Sequence, residues 1–171
     1  MKRRSRWALG AALLAVALGL AVPAVVGAGP DSSATVRFGN PTVGSPFQPP
    51  LFDHDSSFKA ADTLIPRTSV ISAGGNVTFD IAGFHQAMIY EPGTTLDDID
   101  VPPFPPESNI LINEFDGLLD SSPLPFPPPG PQGPWTPDPD TFDEPGRYLV
   151  LCNITPHVVF GKMYGWVNVK K

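Results

Sequence analysis

Hydrophobic and polar residues alternate most clearly over Asn76–Ile81, where every second side chain is apolar. Alternation with a period of two is typical of a strand that buries one face. The apolar stretch Ser69–Ser72 precedes it, and the glycines of Ala73–Gly75 lie between the two, so the pattern predicts a strand, a turn and a strand. Further strands are predicted where β-branched and aromatic residues cluster, at Thr35–Phe38, Ala87–Tyr90, Arg147–Leu151 and Tyr164–Val169.

Proline dominates the middle of the chain, because 14 of the 23 prolines lie within Pro102–Pro145. Proline has a fixed φ angle and no backbone N–H, so these residues cannot form central strands. We therefore predict that residues 92–146 are a long Pro-rich insertion on the domain surface. The alternative is a docking surface, which three aromatic side chains among the prolines would serve: Phe104, Phe126 and Trp135.

No segment that follows residue 28 shows a convincing helical period. Short strands separated by glycine and proline turns predict an all-β fold, specifically a Greek-key antiparallel β-sandwich. The chain of 171 residues is long enough for one domain with a sizeable core, which we place at residues 29–171.

Residues 1–28 have the organisation of an export signal. Four basic residues precede an uncharged stretch from Trp7 to Ala28, and small residues at its end offer a cleavage site. The alternative is an uncleaved N-terminal anchor, since about 20 apolar residues can span a bilayer. Either way the rest of the chain is expected to be exported, as a periplasmic or extracellular protein or on the outer face of the cytoplasmic membrane.

The charge of the exported chain is strongly negative. Residues 1–28 hold four of the 11 Lys and Arg and none of the 17 Asp and Glu, so their removal changes the net charge from −6 to −10. An acidic surface argues against nucleic acid as a partner and suits a basic protein partner. We expect a monomer that contacts a membrane only if residues 1–28 stay attached.

The single cysteine, Cys152, requires an explanation, because an exported chain with one cysteine cannot form an internal disulfide. In an oxidising compartment such a thiol is buried, paired with another chain or bound to metal. His157 and Met163 follow Cys152 between two predicted strands, and His85 follows the alternating strand. Two histidines, one cysteine and a weak axial methionine form the blue-copper donor set.

These motifs, taken in order, resemble the cupredoxins, the blue copper proteins that include plastocyanin, azurin and rusticyanin. The segments that carry the resemblance are Ala73–Phe79 before His85, Pro145–Tyr148 before Cys152, and His157 followed by Gly161–Val169. The resemblance implies a cupredoxin-like sandwich with one type 1 copper ion held by His85, Cys152, His157 and Met163. It also implies electron transfer between redox protein partners rather than catalysis, and no catalytic residue is predicted.

Two positions depart from the family pattern. Lys162 separates Gly161 from Met163, where the family commonly has an adjacent Gly-Met pair, which affects the predicted axial role of the methionine. Gln86 follows the first histidine, where the family often has an asparagine whose side chain ties the ligand loops together.

Other functions remain open on the sequence alone. One is a copper-binding or delivery protein without a redox relay, and another is a structural or interaction domain on the same fold. Copper oxidase centres need His-x-His pairs, whereas this chain has three histidines and no such pair. The third histidine, His54, lies between two aspartates and is predicted to be a solvated loop residue.

Overall fold

The computed structural model describes residues 31–39, 64–102, 110–124 and 133–171. These residues form eight strands, one short α-helix and a 3-10 helix. The strands are β1 (Asp31–Phe38), β2 (Leu64–Ile65), β3 (Thr68–Ile81), β4 (Ala87–Pro92), β5 (Leu118–Ser121), β6 (Pro134–Trp135), β7 (Gly146–Cys152) and β8 (Tyr164–Lys170). The helix α1 is Thr155–Val159, and the 3-10 helix is Leu96–Asp98.

The 14-residue strand β3 joins the two halves of the sheet. Residues 68–72 pair in parallel with β8, and residues 76–81 pair with β1 and, at Phe79 and Asp80, with β6. The pairing with β1 also reaches Ile71, across a shift in register. The turn predicted at Ala73–Gly75 is therefore wrong, because the residues on both sides of it belong to one continuous strand. A side chain at Gly75 would meet the Ser32 carbonyl oxygen at 2.7 Å, so glycine permits the close approach of β1 at this point.

The strand order is β2-β1-β3-β8-β7-β4-β5, with β6 paired to β3. The pairs β1–β3 and β3–β8 are parallel, and the other strand pairs are antiparallel. The all-β prediction is confirmed, but the sheet is mixed rather than antiparallel throughout. Long connections separate β1 from β3 and β3 from β8 in sequence, and such connections allow parallel pairing where a tight turn does not.

The sheet folds over so that strands distant in its order face each other. The ring of Phe38, at the end of β1, contacts the ring of His85, just before β4, with 6.0 Å between centroids. Three strands separate β1 from β4 in the sheet, so this contact crosses the core between two layers, as in a β-sandwich. The largest fully buried side chains include Phe38, Phe79, Tyr90, Phe142 and Tyr148.

Four predicted strands are confirmed, since Thr35–Phe38, Ala87–Tyr90, Arg147–Leu151 and Tyr164–Val169 lie within β1, β4, β7 and β8 respectively. Helix α1 was not predicted, because five residues are too few to show a helical period.

The long surface insertion predicted over residues 92–146 is not confirmed. In its described parts, β5 pairs with β4 and β6 pairs with β3, and Ile99, Ile112 and Phe142 are buried. Proline excludes a central strand but is tolerated at the first residue of a strand, where Pro134 begins β6. Phe104, Phe126 and most of the prolines around them lie outside the described residues.

The leader or anchor predicted over residues 1–28 lies outside the described residues, and so does His54. Within the described ranges, no helix combines the length and the hydrophobicity needed to cross a bilayer.

Candidate metal centre

The pairing of β4 with β7 brings two predicted ligands together. The strands are antiparallel, with Ala87 opposite Cys152, so the start of β4 lies beside the end of β7. Cys152 is the last residue of β7, and His85 stands two residues before β4. Both side chains are fully buried.

Helix α1 brings the second histidine back to the same end of the sheet. The helix begins three residues after Cys152, with Pro156 in its first turn, where the missing backbone N–H removes no helical hydrogen bond. The N–H of His157 donates to the carbonyl of Ile154 at 2.9 Å. This single helical turn places the imidazole of His157 against the thiol of Cys152.

The three donor atoms form a small triangle. The two imidazole Nδ1 atoms of His85 and His157 are 3.0 Å apart, and the Cys152 Sγ lies 3.7 Å and 3.6 Å from them respectively. These distances place a point about 2.0 Å from all three atoms, close to the roughly 2.0–2.3 Å bonds that divalent metal ions make with imidazole and thiolate. The cluster therefore has the dimensions of a site for one metal ion.

Burial keeps both imidazoles neutral. It lowers the pKa of His85 to about 3. The pKa of His157 is well below its usual value, first because the ring is buried and second because His85 lies beside it. Metal ions bind the neutral form of imidazole, so near neutral pH the two rings are already in the binding form.

No protein-family model and no curated protein sequence matches the chain. Among solved structures, it is similar to reduced auracyanin from Roseiflexus castenholzii, with 16% identity, a TM-score of 0.47, and coverage of 84% of this chain and 100% of that one. For rusticyanin from Thiobacillus ferrooxidans, the identity is 19%, the TM-score 0.44 and the coverage 84% and 79%. For a purple cupredoxin from Nitrosopumilus maritimus, the identity is 16% and the TM-score 0.41, and the match covers 80% of this chain and 99% of that one.

One thiol and two imidazoles, in the predicted order along the chain, meet in a buried cluster at one end of an all-β fold. The predicted resemblance to the cupredoxins is confirmed. The donor set, with the buried Met163 close by in sequence, fits a single type 1 copper ion.

Hydrogen bonds on both sides of the candidate site hold the backbone of Met163. Its N–H donates to the carbonyl of His157, and its carbonyl accepts from the N–H of Cys152, each at 3.0 Å. The additional residue Lys162 takes a positive φ of 54°, which turns the chain sharply into β8. The side chain of Met163 is fully buried. The departure from the family's Gly-Met pair is thus accommodated in the backbone of Lys162.

Gln86 joins the two loops that carry the predicted ligands. Its side-chain oxygen accepts from Asn153 Nδ2 at 2.7 Å, and its backbone carbonyl accepts from the Asn153 N–H at 2.8 Å. Its side-chain nitrogen also donates to the carbonyl of Ser122 at 2.9 Å. Sequence reasoning missed Asn153 and Ser122 in this role. The position of Asn153 directly after Cys152 was an available signal, whereas nothing in the sequence pointed to Ser122.

Gly39 allows the first ligand loop to approach β1. It has a φ of 95°, and an added Cβ would collide with the carbonyl oxygen of Ala82 and lie 2.6 Å from His85 Cδ2. Phe84 and Pro156, which precede His85 and His157 in the sequence, are buried, and Phe160 is partly buried.

We expect Gly39→Ala to destabilise the metal-free protein more than Gly93→Ala does. Gly93 has a similar φ of 99°, but no described residue lies within 4 Å of an added Cβ, so it provides the matched control. Both variants carry a backbone strain of about 1–2 kcal/mol, and overpacking adds about 1–3 kcal/mol at Gly39 alone. Denaturant unfolding measures the difference, and equal losses would contradict the close contact with His85.

Proposed function

We propose that this protein binds one type 1 copper ion through His85, Cys152 and His157, with Met163 as the axial ligand, and transfers single electrons between redox partners. The observation that carries the proposal is the buried triangle of two imidazole nitrogens and one cysteine sulfur. Bound copper supplies one-electron chemistry between Cu(II) and Cu(I), in which no atom is transferred. The protein's own residues hold, orient and cover the ion.

The scaffold supports a relay because its donors are anchored to the sheet. Cys152 ends a strand whose last five residues are all buried. A backbone hydrogen bond joins Cys152 to Met163, and another joins Asn153 to Gln86. The two oxidation states of copper prefer different geometries. A scaffold that moves little between them reduces the rearrangement that accompanies electron exchange.

We further propose that the protein is exported, with residues 1–28 as a leader or anchor and residues 29–171 as the copper domain. Copper binding accounts for a lone cysteine in an oxidising compartment, because the ion keeps the sulfur as a thiolate. The partners we propose are basic redox proteins. Most of the described Asp and Glu residues lie between β4 and β7, and this acidic stretch is the part of the chain that would attract them.

The absorption spectrum of the protein loaded with Cu(II) tests the proposal. We expect one copper ion per chain, an intense blue thiolate-to-copper band, and reversible bleaching and recovery as one electron is added and removed. A colourless, copper-free protein would contradict copper binding. A delivery protein would instead lose Cu(I) to a chelator during cycling, so copper retained through many cycles favours the relay over delivery.

For the axial position, we expect Met163→Leu to keep copper and the blue band but to raise the reduction potential. Loss of a weak thioether donor destabilises Cu(II) more than Cu(I). For a one-electron couple, a tenfold change in the equilibrium constant between the two states shifts the potential by about 60 mV. Met88→Leu is the matched control, since Met88 is also buried but lies in β4 outside the donor set. Equal potentials in the two variants would move the axial role away from Met163.

A further inference from the structure

Residues 110–122 lie across both loops that carry the proposed ligands. At one end, the N–H of Ile112 donates to the carbonyl of Asn153 at 2.9 Å, and the carbonyl of Ile110 accepts from the N–H of Thr155 at 2.8 Å. Leu111 and Ile154 form an antiparallel bridge between these two bonds. This end of the segment therefore pairs with the stretch that connects Cys152 to His157.

The other end of the segment holds the loop of the first histidine. Ser122 donates its N–H to the carbonyl of Ala87 at 2.9 Å and accepts from the Ala87 N–H through its Oγ at 3.0 Å. Its carbonyl accepts from Gln86 Nε2 at 2.9 Å. Ser122 is only 1% exposed. Its partners in these three hydrogen bonds, Gln86 and Ala87, are the two residues that follow His85.

The middle of the segment is fixed to β4. The hydroxyl of Tyr90 donates to the carbonyl of Glu114 at 2.9 Å, and the N–H of Glu91 donates to the carbonyl of Gly117 at 2.8 Å. Ile112 is fully buried in the core. The segment therefore links the two ligand loops through a path that is itself attached to the sheet.

We propose that residues 110–122, here named the brace, fix the separation of His85 from Cys152 and His157, with Ser122 and Gln86 as positioning residues. This inference rests on the copper-binding function proposed above. Leaving a buried amide such as that of Ala87 without its acceptor is unfavourable, so each contact of the brace resists displacement of a ligand loop. With copper bound, donors that cannot move apart would not reach the tetragonal arrangement that Cu(II) prefers, and this would raise the reduction potential.

The test compares Ser122→Ala with Ser121→Ala. Ser121 is the neighbouring residue of β5 and makes no side-chain hydrogen bond to any described residue, so it controls for the loss of a hydroxyl. In Ser122→Ala we expect a blue protein with a lower reduction potential and electron self-exchange about tenfold slower than in the wild type. Ser121→Ala is expected to match the wild type in both measurements.

A second readout needs no copper. In the metal-free protein, Ser122→Ala is expected to speed hydrogen exchange of the Ala87 and Asn153 amides about tenfold, with Ser121→Ala unchanged. Should Ser122→Ala not fold, Gln86→Leu takes its place, because it removes the amide group that joins Ser122 to Asn153. We expect it to shift the potential in the same direction.

The outcomes separate the two proposals. A blue wild type whose brace variants retain its potential, self-exchange rate and amide exchange would overturn the brace and leave the copper function standing. A wild type without a blue band would overturn the copper function, and the amide exchange of the metal-free variants would then decide whether the brace positions the loops.

Discussion

Replacing Cys152 with serine is expected to abolish the intense blue absorption of the copper-loaded protein completely. The band arises from charge transfer between a thiolate sulfur and Cu(II), and a serine hydroxyl is a harder donor that stays protonated near neutral pH. Cys152 is the only cysteine in the chain, so no second thiol can replace it. Absorption spectra of the wild type and Cys152→Ser, each with one equivalent of Cu(II), measure the effect.

Two control measurements distinguish the loss of the thiolate donor from a loss of the folded structure. The free energy of unfolding of the metal-free variant should lie within about 1–3 kcal/mol of the wild-type value, because this is the usual cost of placing a hydroxyl in a buried site. Met163→Leu should remain blue, because the thioether is not the source of the band. A blue band that persists in Cys152→Ser would refute the assignment of the thiolate donor, whatever the copper content.

The donors could be found from the sequence because each lies next to a strand with a strong local signal. The run of Arg147–Leu151 identifies a strand from its own residues, and Cys152 follows it directly. The short spacing from Cys152 to His157 limits how far apart their side chains can be. Only His85 had to come from a distant part of the chain, and its place after an alternating strand put it at an end of the sandwich.

The partners of each strand could not be found in this way. Alternation shows which side chains of Asn76–Ile81 are buried, but it carries no information about the neighbouring strand, so one long strand was taken for a strand, a turn and a strand. Ser122 shows the same limitation. Its role depends on hydrogen bonds to Gln86 and Ala87, more than 30 residues earlier in the chain, and a serine next to prolines has no local feature that distinguishes it.

The pair of buried histidines also predicts that the metal-free protein is unstable in acid. Unfolded histidine has a pKa of about 6.5, whereas burial lowers the pKa of His85 to about 3 and that of His157 well below its usual value. Below pH 6.5 the unfolded chain therefore binds protons that the folded chain excludes, so the free energy of unfolding falls as the pH falls. Each histidine contributes about 1.4 kcal/mol per pH unit once the pH is below 6.5, so the pair contributes about 4 kcal/mol between pH 7 and pH 5.

A loss of that size is a large share of the roughly 5–15 kcal/mol that stabilises many domains, so the metal-free protein should be much less stable at pH 5 than at pH 7. Denaturant unfolding between pH 7 and pH 5 measures the slope. His85→Gln is the matched variant, because it keeps a polar side chain but does not titrate, and it should halve the slope. Copper should protect the wild type, since an ion bound to both imidazoles stabilises the folded state and must be displaced before they take up protons. Equal slopes in the wild type and His85→Gln would contradict this prediction. They would mean that the folded protein protonates His85 as readily as the unfolded chain does, despite the burial of its ring.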